Sequence, residues 1–289
     1  MRTQEDCKDC QGRRVEPFLR WAGGKRWLSR ILEGLVPDDY RTYHEPFLGS
    51  GAIFFALRPP RAELSDSNDN LINAFETVRD CPEALIKRLG RFDYTREEYY
   101  RVRSGNPRTP LARTARFVYL NRTCWNGLYR VDRSGSFNVP YGRRGTFHES
   151  DADRIRVASA TLRNSRLRHE DFEVALRRVR AGDFVFIDPP YTVTHGDNGF
   201  LLYNEKIFSW ADQERLAEAI RRIDRKGALF LLTNANHPSV IALYEGFTAR
   251  PIQRSSILAA DPDNRRPVTE LLVTNYRVGM REWSLQLAS

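Results

Sequence analysis

The chain has 289 residues, 41% hydrophobic and 29% charged, and a mean hydropathy of −0.56, a balance that excludes a disordered or membrane-embedded polypeptide. That length accommodates one large domain, or a large and a small one, with ample apolar surface for a core. A net charge of +9 and an isoelectric point near 9.6 admit a polyanionic partner without requiring one.

The N-terminal residues 1–14 are polar and lack the apolar stretch of a secretory signal, which predicts a cytoplasmic protein; residues 1–15 read as a poorly ordered tail. Cys7 and Cys10 form a lone Cys-x-x-Cys there, while Cys81 and Cys124 lie far away in unlike contexts. A zinc site needs four ligands and no second Cys or His pair stands at ligand spacing, so neither a metal nor a disulfide framework is expected.

Along the chain, Phe18 to Lys25 is a glycine-hinged loop, and the apolar spacing from Trp27 to Leu35 predicts a helix. A short strand at Tyr43 to Glu45 runs into Pro46-Phe47-Leu48-Gly49-Ser50-Gly51, and Ala52 to Leu57 continues as an apolar helix. Arg61 to Ser65 reads as a second strand ending in Asp66, followed by a helix from Leu71 to Arg79. This is the opening of a nucleotide-binding α/β unit.

The parallel-sheet rhythm then stops. Pro82 to Val102 is helical with charged faces, Ser104 to Pro110 is a Gly/Pro loop, and Leu111 to Leu120 is helical. Leu128 to Asp132 and Ser136 to Val139 read as hairpin strands around Arg133-Ser134-Gly135. Residues 81–150 are therefore an expected insertion, mainly helical with a β-hairpin, between the catalytic segments 16–80 and 151–289.

Alternation resumes with a strand near Leu167 to His169 and the run Phe184-Val185-Phe186-Ile187, which reads as a central parallel strand buried on both faces. A helix from Ser209 to Ile223, a strand from Ala228 to Thr233 and late strands around Phe247 and Thr269 to Asn275 complete the expected fold. It is an α/β protein, with an open, mostly parallel Rossmann-like sheet and helices on both faces.

Three features carry chemistry. Between Arg101 and Arg144 there are ten arginines against the single acid Asp132, interleaved with Phe117, Tyr119, Trp125, Tyr129, Phe137 and Tyr141. Guanidiniums pair with phosphates and rings stack on bases, so the segment suits a nucleic acid. The Phe47-x-Gly49-x-Gly51 turn gains meaning from Asp66 at the end of the next strand, where a carboxylate can accept hydrogen bonds from both hydroxyls of a ribose. More specific is Asp188-Pro189-Pro190-Tyr191 directly after a hydrophobic strand. The lone pair of adenine N6 is delocalised into the ring, and a site that methylates it must hold the amino group facing the electrophile. Asp188 can accept one N6 hydrogen and the Pro189 carbonyl the other. The two prolines stiffen both acceptors and Tyr191 can stack on the extruded base.

With these blocks in order, the chain resembles the Dam-type, D12-class family of DNA adenine N6-methyltransferases from Phe18 to Tyr276. The most specific matches are Phe18 to Lys25, Glu45 to Gly51, Asn126-Gly127-Leu128-Tyr129-Arg130, Phe137 to Gly142, and Asp188 to Tyr191. The resemblance implies S-adenosylmethionine as cofactor, with Trp21 and Lys25 lining its pocket beside Phe47, Gly49, Gly51, Asp66 and Asp188, and with Asp171 and Phe172 at its adenine. Core packing is the alternative for Trp21 and Phe172. The resemblance also implies that Arg130 reads a guanine, that Asn126 fills or props the gap left by the flipped base, and that Leu128 and Pro140 touch neighbouring bases. A phosphate contact is the alternative for Arg130.

Arg20 and Arg144 stand where relatives that methylate GATC carry lysine and tyrosine, so GATC is implied with its outer bases open. Phe200, Tyr203 and Phe208 match an aromatic stretch that orders over substrate or belongs to the core, and Asn234 to His237 reads as a strand-end turn, with a departure from the family's Ser-Asn-centred motif as the alternative. The expectation is thus a site-specific enzyme acting on an adenine of double-stranded DNA, a monomer or weak dimer, of the kind found in restriction-modification. The competing readings are an RNA adenine or cytosine-N4 methyltransferase and a catalytically silent DNA-binding regulator.

Overall fold

The structure, a computed structural model, describes residues 15–21, 23–25, 27–132, 135–142, 146–192, 208–254 and 268–278. The expectations for Cys7, Cys10, Arg144, Phe200 and Tyr203 lie outside the described residues. In chain order the elements begin with β1 (Tyr43–Glu45), α1 (Ala52–Leu57), β2 (Ala62–Asp66), α2 (Asp69–Asp80), α3 (Pro82–Leu89), α4 (Arg96–Ser104), α5 (Pro110–Thr123) and α6 (Glu149–Leu162). They continue with β3 (Ser165–His169), α7 (Phe172–Arg177), β4 (Phe184–Ile187), α8 (Trp210–Arg225), β5 (Leu229–Ala235), α9 (Pro238–Leu243), β6 (Thr248–Arg254) and β7 (Val268–Thr274). Among the described residues, no helix is long and apolar enough to cross a membrane.

These elements fall into two compact units. The first takes the described residues of Met1–Arg26, Leu48–Arg58 and Asn68–His169. It is a helical body in which α2 packs on α5 and α6, and α3 on α5. Phe54, Phe55, Phe75, Tyr119, Leu120 and Leu162 form its buried interior. The second takes the described residues of Trp27–Phe47, Pro59–Ser67 and Glu170–Ser289.

Six strands of the second unit pair in the order β2-β1-β4-β5-β7-β6. The contacts of β1 with β2, β1 with β4 and β4 with β5 are parallel, and those of β7 with β5 and β6 are antiparallel. The open, mostly parallel α/β sheet expected from the sequence is therefore present. All four residues of β4 are buried, as its unbroken apolar run requires of a central parallel strand. Val185, Ile187, Phe230 and Leu232 pack with Leu216, Ile220 and Ile223 of α8 in one core. Ser209 and Asp212 start α8 with a capping box.

Several local expectations give way to the structure. Trp27 to Leu35 is two short 3-10 turns, Leu28–Arg30 and Leu32–Gly34, with no side-chain cap on either. The apolar spacing still buries Leu28, Leu32 and Leu35. The helix expected over Pro82 to Val102 is two, because α3 stops at Gly90 and Thr95 restarts the chain by accepting the Glu98 amide. The hairpin strands reduce to isolated antiparallel bridges, Val131 with Phe137 and Cys124 with Tyr141. Asn126 and Gly127 both stand at positive φ just before the expected first strand, so the chain enters it from a turn. Helices α6, α7 and α9 had no counterpart in the sequence reading.

Candidate active site

The order β2-β1-β4 means that the chain leaves β1 toward one neighbour and later returns on its other side. Ligands of open α/β sheets bind at the carboxyl ends of the strands where such a reversal occurs. The register says what stands there. Tyr43 pairs with Ala62, an offset of 19 residues, and with Phe184, an offset of 141. Asp66 ends β2 and Asp188 directly follows β4, so both stand at the carboxyl ends of the strands that flank β1, whose own end leads into Phe47. Phe184 pairs with Leu229, an offset of 45, which brings Asp188 level with Thr233. Thr233 Oγ1 indeed donates to Asp188 Oδ1 at 2.6 Å.

Asp188 is half-buried, Pro189 is buried, and Pro190 and Tyr191 are half-buried. Asp188, Pro190 and Tyr191 are each braced by a side chain from elsewhere in the unit. Besides the Thr233 bond, the Tyr191 hydroxyl donates to Glu270 Oε2 at 2.9 Å. Gln213 Nε2 donates to the Pro190 carbonyl at 3.4 Å and to Thr192 Oγ1 at 2.8 Å. Asn234 Nδ2 in turn donates to Gln213 Oε1 at 3.0 Å. Gln213 and Asn234 are both 0% exposed, so the bonds that join Asn234, Gln213 and Thr192 are interior, and losing one leaves a desolvated polar group. Burial, followed by the charges of Asp188 and Glu270, pushes the Tyr191 phenol well above its ordinary range. It therefore stays a hydrogen-bond donor.

Neither Thr233 nor Gln213 stands in a motif of the sequence. The stretch from Asn234 was read as a strand-end turn, yet β5 runs through Ala235 and turns the Thr233 hydroxyl and the Asn234 amide to these partners. The terminal strand carrying Glu270 had been given no chemistry.

The remaining expected residues of the second unit form a neighbouring group. The rings of Phe47 and Phe172 stack with centroids 5.3 Å apart, and Phe208 meets both at 5.6 Å. Phe208 is buried in the core, one of the two roles open to it from sequence. Phe172 is buried too, with the Arg215 guanidinium 4.9 Å from its ring centroid. Asp171 is exposed; its Oδ1 caps α7 by accepting the Glu173 amide at 2.8 Å and also takes Arg215 at 3.1 Å. The backbone carbonyl of Asp66 accepts the Glu170 amide at 3.1 Å, which ties the acid at the end of β2 to the chain entering α7.

In the first unit, Trp21 stacks on Tyr129 with centroids 5.4 Å apart. Gly49 has φ +49, and a Cβ there would sit 3.0 Å from Trp21 Cδ1, so this turn admits only glycine without a shift of the indole. Gly51, at φ +68, enters α1. Lys25 is buried and donates to the Gly23 carbonyl at 3.3 Å.

Asn121 joins two predicted DNA-contact segments. It accepts the Arg20 amide at 2.9 Å and donates to the carbonyls of Arg20, at 2.7 Å, and Gly127, at 3.3 Å. Arg20, Asn126, Arg130 and Pro140 are exposed and Leu128 half-buried. Arg130 Nε donates across the hairpin to Asn138 Oδ1 at 2.8 Å, which holds the guanidinium out in solvent.

Not all ten arginines of the basic segment are available to a polyanion. Arg101, Arg113 and Arg122 pair with Glu98, Asp69 and Asp151. Arg116 donates to the Val102 and Arg103 carbonyls at 3.0 and 2.6 Å.

The family model of the D12 class N6 adenine-specific DNA methyltransferases matches residues 21–256. The chain belongs to this family. It is 36% identical over 272 residues to the type II methyltransferase M1.LlaDCHI of Lactococcus lactis subsp. cremoris, covering 91% of this chain and 96% of that one. It is 34% identical to the type II methyltransferase M.MjaIII of Methanocaldococcus jannaschii, over 91% of this chain and 99% of that one. It is 29% identical to the DNA adenine methylase of Haemophilus influenzae, over 89% and 92% of the two. As a D12-class enzyme it transfers a methyl group from S-adenosylmethionine to N6 of adenine in DNA.

Proposed function

We propose that this D12-class enzyme acts on an adenine extruded from duplex DNA, and that the Asp188 to Tyr191 turn is its grip on the base. The observation that carries this reading is the Asp188 carboxylate, directly after β4 at the reversal of the sheet and hydrogen-bonded by Thr233. The donor set there suits an adenosine cofactor. A strand-end carboxylate, Asp66, matches ribose hydroxyls, and an exposed one, Asp171, matches an adenine amino group, with Phe47 and Phe172 as the aromatic wall behind it. Trp21, Lys25, Gly49 and Gly51 remain cofactor residues of this proposal on the strength of the family resemblance alone.

When bound, S-adenosylmethionine supplies an electrophilic methyl on a sulfonium. Asp188 and the Pro189 carbonyl accept the two N6 hydrogens, which turns the nitrogen lone pair out of conjugation and toward that methyl. Positioning provides most of the acceleration. Positive charge builds on N6 as the bond forms, and the Asp188 carboxylate beside it offsets that charge. The N6 proton leaves after transfer, so Asp188 need not be a strong base. Tyr191 stacks on the extruded ring, returning part of the roughly few kcal/mol that unstacking costs.

Residues 81–150 are the target-recognition region of this reading. Arg130 takes O6 and N7 of a guanine, Asn126 fills the gap left by the flipped base, and Leu128 and Pro140 meet neighbouring bases, with Arg20 and Arg144 at the outer positions of a GATC-like site. The type II names of the L. lactis and M. jannaschii relatives favour a restriction-modification setting, with the enzyme working in the cytoplasm as a monomer or weak dimer.

Asp188→Ala tests the core of the proposal. Binding of unmethylated duplex DNA should survive while methyl transfer is abolished. Methylation at the native rate would remove Asp188 from the mechanism, and a silent regulator would show no transfer even in the native chain.

A further inference from the structure

Tyr191 and Glu270 are 79 residues apart, yet the phenol donates to the Glu270 carboxylate at 2.9 Å. Glu270 pairs in register with Ala235 of β5 and is only 2% exposed. The strand does not need an acid there, since its neighbours Leu271, Leu272 and Val273 supply the buried apolar surface. A carboxylate taken from water is costly to hold unless donors meet it, and the Tyr191 phenol is one such donor.

The chemistry of the turn gives this bond a use. Tyr191 lies outside any helix or strand, and the second side-chain torsion of a tyrosine is broad, so its backbone alone does not set the plane of the ring. A hydrogen bond from the hydroxyl does, because the phenolic O–H conjugates with the ring and lies in its plane, so the position of the acceptor selects that plane. We propose that Glu270 is a positioning residue for methyl transfer, one that fixes the Tyr191 phenol and with it the plane on which the target adenine stacks. The inference rests on the reading above that Tyr191 stacks on the base. The phenol is also flanked by Asp188, whose charge, with burial and Glu270 itself, keeps it protonated and able to donate throughout the neutral and mildly alkaline range.

Single-turnover methylation of unmethylated genomic DNA by the full chain tests this, with Kd for S-adenosylmethionine measured alongside. Tyr191→Phe and Glu270→Leu both remove the phenol–carboxylate hydrogen bond and should each slow transfer about tenfold, the loss expected for one hydrogen bond to a charged group, while the phenylalanine also loses the phenol's contact with Thr233. Cofactor affinity should stay within about twofold, because neither residue belongs to the cofactor set. The double variant should be no slower than the slower single one. Glu270→Gln keeps an acceptor oxygen and should recover to within about twofold of the native rate.

Additive losses, a native rate in Glu270→Leu, or a Glu270→Gln as slow as Glu270→Leu would each overturn the proposal. If Glu270→Leu does not fold, Glu270→Gln carries the test: it should be near native alone and cost nothing further in the Tyr191→Phe background, and a tenfold loss in either setting overturns the positioning role. Tyr191→Ala separates the two readings. A native rate there ends the stacking reading, whereas a slow Tyr191→Ala beside a fast Glu270→Leu ends the positioning role alone.

Discussion

Thr233 and Asp188 stand side by side across neighbouring strands, and the threonine hydroxyl donates to the Asp188 carboxylate at 2.6 Å. The bond follows from the parallel register of β4 and β5, which brings the residue after β4 level with a position inside β5. An unbraced carboxylate would rotate about its side-chain torsions and spend part of its time facing away from the amino group it must hold. A donor on one oxygen restricts that rotation.

Thr233→Val keeps the shape and removes the donor. We predict a fall of about tenfold in the single-turnover rate, in line with one hydrogen bond to a charged group. Affinity for S-adenosylmethionine should be unaffected. A native rate in a folded Thr233→Val enzyme would show that Asp188 needs no brace.

His44, in the middle of β1, and Asp183, just before β4, make a buried pair 3.1 Å apart. Burial lowers the His44 pKa from its ordinary value and outweighs the Asp183 and Glu63 carboxylates that pull it up, while Arg178 adds to the lowering. A lowered value in the folded state means that the unfolded chain binds the proton more readily. Stability from this group is therefore present above the ordinary histidine pKa near 6.5 and is lost as pH falls toward the lowered folded value. Urea midpoints at about pH 7.5 and pH 5.5 should show the decline, and His44→Gln should reduce it. Equal slopes in the two proteins would show that His44 is not its source.

Arg130 decides between base reading and phosphate contact. As a guanine reader, Arg130→Ala should relax preference at one position of the site by about 1–3 kcal/mol and leave the salt dependence of binding nearly unchanged. Modification-sensitive sequencing of DNA methylated by the variant gives the preference. Uniform weakening on all sequences, with a shallower salt slope, would make Arg130 a phosphate contact instead.

Much of the second unit was legible in the residues. The runs Tyr43 to Glu45 and Phe184 to Ile187 are short, apolar and bounded by turn residues, so local pattern and tertiary role agree, and β1 and β4 fall on those residues. The glycine turn, Asp66 and the Asp188 to Tyr191 turn were recognisable because each is contiguous and its chemistry follows from side chains next to one another. The hairpin was less legible, since positive φ at Asn126 and Gly127 depends on what packs around them. The basic segment was legible in its sign but not in its use, because the partners of Arg101, Arg113 and Arg122 include acids as remote in sequence as Asp69 and Asp151.

What the sequence determined by itself was the class of chemistry: an acid and two prolines at a strand end, a glycine turn and an acid after the next strand are local facts, fully specified by residue type and spacing. Only the tertiary structure decided what holds that chemistry still. Thr233, Gln213, Asn234 and Glu270 reach the turn from β5, α8 and β7. Which residues of distant strands stand level is a property of register and strand order, and register is set by how whole faces of the sheet bury their apolar side chains, which no single stretch of sequence encodes.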